Sequence, residues 1–178
     1  FGVRGIEGMV EAIRAARELD IPFFGICLGM QVAIIEFARN VLGLSDSNSS
    51  EFAASCDDAV VSLLDSQREI TDKGGTMRLG AYPCRLQKGS KALEIYGVPE
   101  VSERHRHRYE VSNRYRDTFV QHGMTLSGLS PDSSLVEMIE LPANRWFLGC
   151  QFHPELQSRP LRPHPLFSAF VEAATRTQ

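Results

Sequence analysis

The segment IPFFGICLGMQ, residues 21–31, decides the fold predicted for this chain. It begins with a short and almost wholly apolar run over 21–26, which is typical of a strand buried on both faces of a sheet. Apolar residues recur at helical spacing over 5–19, and a second helix is predicted over 30–42. A helix, a buried strand and a second helix in this order predict an α/β fold, with three layers around a mostly parallel sheet.

The rest of the sequence continues this mixture of helices and strands. Further strands are predicted over 59–64, 76–86, 104–112, 135–141 and 146–152, the last two as a hairpin. Short helices are predicted over 90–97 and 114–122, and a C-terminal helix over 164–176. Residues 45–58 and 65–75 are polar and predict surface loops. The strand over 76–86 is expected to be interrupted near Gly80 and Pro83.

Length and composition limit the class of protein. The chain has 178 residues, 43% of them hydrophobic, which fits one globular domain. A formal net charge of −3 provides no basic field for nucleic acid or an anionic membrane. The four cysteines form no CxxC pair, so neither a zinc site nor a disulfide framework is predicted and a cytoplasmic location is expected. Because the sequence opens on a loop-like FGVRG without Met, we expect residues 1–178 to be a fragment whose N-terminal strands precede Phe1.

Cys27 lies between Gly25 and Gly29, at the junction of the buried strand and the following helix. This G-x-C-x-G pattern has the logic of a nucleophile elbow, in which glycines make room for a sharp turn that exposes the nucleophile. The helix N-terminus is expected to favour the thiolate, and the backbone N–H of Leu28 to point towards a developing oxyanion. The alternative is a buried structural cysteine beside packing glycines.

The segment GCQFHPE, residues 149–155, supplies the partners that a thiol nucleophile needs. His153 follows an apolar strand, and Glu155 is close enough in sequence to orient its imidazole. Read alone, this could be an exposed loop histidine beside a carboxylate. Together with the elbow, it predicts a Cys27–His153–Glu155 triad.

The basic run RHRHRY, residues 104–109, allows several interpretations. In a strand, the arginines at 104, 106 and 108 share one face, and His105 and His107 share the other. One such stripe on a net-acidic chain is weak evidence for nucleic acid. A third metal ligand is not apparent. We therefore favour a role in shaping a substrate pocket.

These motifs carry a resemblance to a known family. GICLGMQ and CQFHPE resemble the class I glutamine amidotransferases. Four other stretches are similar to the CTP synthase branch of that family: FGVRGIEG (1–8), NSSEF (48–52), GGTMRLG (74–80) and ERHRHRYEV (103–111). The resemblance runs from Phe1 to about Val171.

The resemblance implies a fold and an activity. The fold is the class I amidotransferase fold with its nucleophile elbow. The activity is hydrolysis of glutamine to glutamate through a γ-glutamyl thioester, and the ammonia passes to a separate synthase domain that aminates ATP-activated UTP to CTP. The implied nucleophile is Cys27, with His153 as acid and base, Glu155 as its orienting carboxylate and Leu28 as one oxyanion donor. The second oxyanion donor is expected upstream of Phe1.

The resemblance also implies binding residues, cofactors and partners. The implied glutamine-binding residues are Phe1, Gly2, Leu28, Gly29, Met30, Gln31, Glu51 and Arg108. A carboxylate such as Glu51 suits an α-ammonium group, and a guanidinium such as Arg108 suits an α-carboxylate. No cofactor or metal is expected in this domain, whereas the full-length enzyme is expected to use ATP and Mg²⁺ and to be activated by GTP near the loop 65–75. The expected partners are glutamine, the synthase domain and further copies in a homo-oligomer, with no nucleic acid and no membrane.

Three alternatives remain at this point. The chain could serve another class I amidotransferase, such as one for GMP or carbamoyl phosphate synthesis. It could be a non-catalytic scaffold, although that would predict a missing triad member. It could be a plain thiol hydrolase, which would need the triad but no glutamine pocket and no synthase partner.

Overall fold

The computed structural model describes residues 4–53, 55–63 and 77–176. Phe1, Gly2 and the predicted loop 65–75 lie outside the described residues, so the predictions made for them stay predictions. None of the helices in the described ranges has the length and apolar character needed to cross a membrane.

Helices appear where the apolar spacing predicts them. They are α1 (Ile6–Glu18), α2 (Leu28–Asn40), α3 (Lys91–Tyr96), α4 (Arg116–Gln121) and α5 (Pro165–Thr175). Two 3₁₀ turns cover Asn113–Tyr115 and Pro154–Leu156. The Ser90 side chain caps α3 by accepting from the Leu93 N–H, and Pro165 occupies the first turn of α5, where no amide hydrogen is needed.

Nine strands form two sheets within the described residues. They are β1 (Phe23–Ile26), β2 (Asn48–Ser49), β3 (Ala59–Ser62), β4 (Arg78–Leu86), β5 (Glu100–His107), β6 (Glu110–Val111), β7 (Thr125–Leu129), β8 (Val136–Glu140) and β9 (Phe147–Cys150). The large sheet has the order β1-β9-β8-β7-β4-β5, and the small sheet has the order β2-β3-β6.

The large sheet is mixed rather than mostly parallel. Only β1 and β9 pair in parallel, and the other four neighbouring pairs are antiparallel. For β8 and β9 the reason is connectivity, because these strands are joined by a short turn that leaves no room for a parallel crossover. The proportion of parallel strands therefore differs from the prediction, while the α/β class and the elbow between β1 and α2 are confirmed.

Two apolar clusters lie on opposite faces of the large sheet and make three layers. One cluster joins the buried faces of α1 and α2 to the sheet. The other joins α3 and α5 to the sheet, around Leu148, Phe152 and Leu166. In this arrangement β1 is covered on both faces, which explains its nearly continuous apolar sequence.

Four local features of the structure differ from the predictions. β4 runs unbroken through Gly80 and Pro83, which pair with His105 and Ser102 on β5. Proline is tolerated there because β7 pairs with β4 only at Arg85 and Leu86, so Pro83 has a strand on one side only. The predicted loop 45–58 contains β2, the predicted strand 104–112 is divided into β5 and β6, and β7 had no counterpart in the prediction.

Candidate active site

Cys27 stands at a sharp turn between β1 and α2. Its backbone has φ 51° and ψ −103°, a strained combination for a residue with a Cβ atom. The Cys27 N–H donates to the Cys150 carbonyl oxygen at 2.8 Å, so β9 holds the turn from the side. Because α2 begins at the next residue, the N–H of Leu28 is among the helix donors without an intrahelical partner.

Gly25 and Gly29 have different reasons to be glycine. A Cβ atom on Gly25 would lie 2.8 Å from the Gly29 carbonyl carbon and 2.9 Å from the Met30 nitrogen, so the turn leaves no space for one. A Cβ atom on Gly29 would meet no heavy atom within 4 Å, apart from its chain neighbours and the backbone of its own helix. Gly25 is therefore required by backbone packing, and Gly29 is not.

The sulfur of Cys27 is a thiol in the resting site rather than the expected thiolate. Burial raises its pKa to about 11, and the negative charges of Glu155 and Glu51 act in the same direction. The Leu28 N–H and the Gln151 amide, whose Nε2 lies 3.6 Å from Sγ, oppose this rise. A base must therefore remove the thiol proton before the sulfur can act as a nucleophile.

His153 and Glu155 lie at the same sheet edge as Cys27. β1 and β9 are parallel neighbours, with Ile26 paired with Cys150, so the residues that follow the two strands emerge side by side. The backbone N–H of His153 donates to the Arg104 carbonyl oxygen at 2.8 Å. In the imidazole, His153 Nδ1 lies 2.6 Å from Glu155 Oε1. A carboxylate at Nδ1 fixes the proton there and leaves Nε2 as the basic nitrogen. His153 Nε2 is buried and has no hydrogen-bond partner among the described residues.

A cavity of about 230 Å³ opens beside the elbow. Five predicted residues line it: Cys27, Leu28, Gln31, Glu51 and Arg108. Its other lining residues are Phe52, Met77, Arg106, His107 and Tyr109. The structure thus brings together residues that are up to 81 positions apart, from Cys27 to Arg108.

The cavity carries charges of both signs. Burial raises the pKa of Glu51, and the positive charge of Arg108 opposes that rise.

Met30 differs from its neighbours on α2, because its side chain is fully buried in the core beneath the turn, close to where a Cβ atom on Gly149 would lie. Only the backbone of Met30 can therefore contact a ligand.

A buried ionic cluster lies under the cavity. Arg78 forms an ion pair with Glu137 at 2.8 Å and also donates to Glu110 at 3.2 Å, and both acidic side chains are almost fully buried. Burial raises the pKa of Glu110 to about 8. His105 and His107 face this cluster, while the arginines of β5 face outward, as the alternation predicts. Burial and the charge of Arg78 lower the pKa values of His105 and His107 to about 2 and about 3, so both imidazoles are neutral. No cluster of metal-ligating residues occurs within 4–53, 55–63 and 77–176.

Several residues of the site were not predicted as binding residues from the sequence. Phe52 follows the predicted Glu51, and Met77 directly precedes β4. Tyr109 ends the basic run whose contribution to a pocket was expected, and that run also places Arg106 at the cavity. Gln151 lies inside the quoted segment GCQFHPE, and its position two residues before His153 was the signal that could have revealed it.

Comparisons with known proteins identify the family of the chain. A model of the family "Glutamine amidotransferase class-I" matches residues 1–173. The chain is 59% identical over 174 residues to a CTP synthase of Geobacter sulfurreducens and 53% identical over 178 residues to one of Staphylococcus aureus. The two matches include 98% and 100% of this chain, respectively. The chain, however, spans only about a third of the length of each relative.

Solved structures give the same result. The glutaminase domain of Trypanosoma brucei CTPS, solved with bound acivicin, superposes with a TM-score of 0.93 at 42% identity. This match covers the whole chain and 69% of the solved chain. A putative GMP synthase component from Thermoplasma acidophilum, at 16% identity and a TM-score of 0.59 over 95% of this chain and 65% of that one, shares the fold alone. The chain therefore belongs to the class I glutamine amidotransferase family and, within it, to the glutaminase domains of the CTP synthase type.

Proposed function

We propose that this chain hydrolyses glutamine to glutamate and ammonia, with Cys27 as nucleophile, His153 as general base and acid, and Glu155 as the carboxylate that orients His153. The observation that carries the proposal is the convergence of the elbow and the His153–Glu155 pair at one sheet edge, beside a cavity lined by Glu51 and Arg108.

The proposed reaction has two stages. In the first, His153 Nε2 takes the Cys27 thiol proton, and Sγ attacks the side-chain carbonyl carbon of glutamine. The C–N bond breaks as His153 returns the proton to the leaving amine, which gives ammonia and a γ-glutamyl thioester. In the second, His153 takes a proton from water as the water oxygen attacks the thioester carbon. The C–S bond then breaks, His153 returns the proton to Cys27 Sγ, and glutamate leaves. The Leu28 N–H stabilises the oxyanion that forms in both stages.

Binding of the α-ammonium and α-carboxylate groups of glutamine follows from the charges of the cavity. Glu51 suits the α-ammonium group, and Arg108 suits the α-carboxylate. Gln31, one helical turn after Cys27, contacts the substrate between these charges and the nucleophile. Gly29 and the backbone of Met30 complete the described part of the pocket, and Phe1 and Gly2 remain predicted contacts.

The size of the relatives supports a role within a longer polypeptide. We propose that the ammonia is delivered to a synthase domain that uses ATP and Mg²⁺ to aminate UTP to CTP. In this scheme the glutaminase domain itself needs no cofactor. GTP activation and assembly into a homo-oligomer belong to the full-length protein. Supply of ammonia for GMP or carbamoyl phosphate synthesis remains the alternative, although the relatives reported above favour CTP.

Substitution of the nucleophile tests the proposal. Cys27→Ala should abolish glutamate release from glutamine, whereas Cys56→Ala, at a partly exposed cysteine far along the chain, should retain it. In the full-length protein, Cys27→Ala should abolish glutamine-dependent CTP formation and leave ammonia-dependent formation largely intact. Loss of both reactions would contradict a separate glutaminase site.

Covalent labelling provides a second test. A diazo-ketone analogue of glutamine should modify Cys27, as located by peptide mass spectrometry, and excess glutamine should protect it. Modification of Cys56, Cys84 or Cys150 instead would show that the elbow is not the reactive site.

A further inference from the structure

A chain of hydrogen bonds connects the Cys27 sulfur to the segment that follows β5. Gln151, directly after β9, is fully buried, and its Nε2 lies 3.6 Å from Cys27 Sγ. Its Oε1 lies 3.1 Å from Gln31 Nε2, which is also 3.1 Å from the Tyr109 carbonyl oxygen. Two side-chain amides thus join the nucleophile to the far wall of the cavity.

The direction of this chain is fixed at Tyr109. A backbone carbonyl can only accept, so the atom of Gln31 beside it must be the amide nitrogen. That nitrogen then also donates to Gln151, which must present its oxygen to Gln31. The nitrogen of Gln151 is consequently the atom that faces Cys27. His107 Nδ1 lies 3.0 Å from the same Tyr109 oxygen, so both lone pairs of that oxygen are engaged.

We propose that Gln151 is a positioning residue of the glutaminase site: its amide nitrogen donates to the Cys27 sulfur, and its amide oxygen holds Gln31 so that the Gln31 oxygen faces the ligand. This inference rests on the proposed function. Both N–H bonds of Gln31 Nε2 are used, by Gln151 and by Tyr109, so the remaining atom of its amide is an acceptor. The ligand group that lies against Gln31 is therefore an N–H donor, either the ammonium or the amide of glutamine.

The contact with the sulfur has a separate effect. A donor aimed at Sγ stabilises the thiolate relative to the thiol, against the burial and the two carboxylates that favour the thiol. Since Gln151 itself carries no charge and is fully buried, it can do so without adding a charge to the site. Gln151 thus acts on both the nucleophile and the substrate contact while touching no reacting atom other than the sulfur.

Two substitutions separate these effects. Gln151→Met keeps an unbranched side chain of similar length but removes both the donor and the acceptor. Gln151→Glu keeps an acceptor for Gln31 and removes the donor to the sulfur. Gln121→Met, the same change at the exposed end of α4, serves as the matched control. Thermal unfolding of each variant shows whether it is folded.

The measurement is the rate at which iodoacetamide alkylates Cys27 at pH 8, resolved by peptide mass spectrometry. Loss of one hydrogen bond to the sulfur should slow alkylation about threefold or more, which corresponds to a rise of roughly half a pKa unit. The rate should fall further in Gln151→Glu, which adds a negative charge. KM for glutamine should rise several-fold in Gln151→Met and stay near the wild-type value in Gln151→Glu, while the control matches wild type in both.

Wild-type alkylation rates in a folded Gln151→Met variant would overturn the proposal. If that variant does not fold, an unchanged rate in Gln151→Glu would overturn it equally. The alkylation comparison needs no glutamine hydrolysis. A wild-type chain that is alkylated at Cys27 but releases no glutamate would therefore refute the proposed function and still decide the role of Gln151 at the sulfur.

Discussion

Replacement of Gly25 by alanine should damage the elbow through sterics alone. The added Cβ atom would lie 2.8 Å from the Gly29 carbonyl carbon, 2.9 Å from its oxygen and 2.9 Å from the Met30 nitrogen. All three contacts are with backbone atoms, so no side chain can rotate away. Gly25 does not have a positive φ, and alanine therefore meets no torsional penalty at this position.

The size of the effect follows from two opposing contributions. Overpacking of this kind costs about 1–3 kcal/mol. Replacing glycine with alanine reduces the entropy of the unfolded chain and returns about 0.4–1 kcal/mol. We expect the free energy of unfolding to fall by about 1–2 kcal/mol, equivalent to a drop in Tm of roughly 2–8 °C for a chain of this length. Glutamine hydrolysis should fall more steeply, because the backbone that must shift carries Cys27 and Leu28.

Urea and thermal unfolding of Gly25→Ala should be compared with two matched variants. In Gly8→Ala, on α1, the new Cβ atom meets nothing within 4 Å, so stability should stay equal or rise. Gly29→Ala should likewise retain its stability, yet it should impair hydrolysis if Gly29 borders the substrate. A Gly25→Ala variant as stable and as active as Gly8→Ala would refute the argument that close backbone packing requires glycine at the elbow.

Two further predictions concern stability. Burial raises the pKa of Glu110 to about 8 in the folded state from about 4.5, so its contribution to stability is complete below pH 4.5 and is lost as the pH rises through about 8. The free energy of unfolding of the Glu110→Gln variant, measured by urea titration, should therefore fall less between pH 5 and pH 8 than that of the wild type. An unchanged pH dependence would contradict the raised pKa of Glu110. The strained backbone of Cys27 suits glycine better than alanine, so Cys27→Gly should be about 1 kcal/mol more stable than Cys27→Ala, and equal stabilities would argue against strain at the elbow.

The sequence predicted the parts of the fold that local patterns control. The apolar run before Cys27, the helical spacing over 5–19 and the turn between 141 and 146 each have short-range causes, and the corresponding elements appear in the structure. Strand pairing could not be predicted in the same way, because it depends on which distant strands meet. β7 illustrates the limit, since TLSGL contains a glycine and two small polar residues and lacks a strong strand pattern.

The candidate site shows the same division. Cys27, His153 and Glu155 could be predicted as site residues because each follows an apolar strand at a recognisable position in the sequence. Gln151 could not be predicted in this way, because its two contacts, with Cys27 and Gln31, become visible only when β9 is placed beside β1. Met30 was included on the strength of the motif, and only the packing reveals that its side chain points into the core.

The charges around Cys27 suggest why its sulfur is protonated at rest. Glu51 is one of the two carboxylates whose negative charge raises the pKa of the thiol, and it also lines the cavity. If the α-ammonium group of glutamine binds to Glu51, as proposed, the positive charge offsets that carboxylate and lowers the pKa of Cys27. The nucleophile would then be activated by the substrate that it attacks, while between turnovers the site keeps a thiol that reacts slowly with other electrophiles.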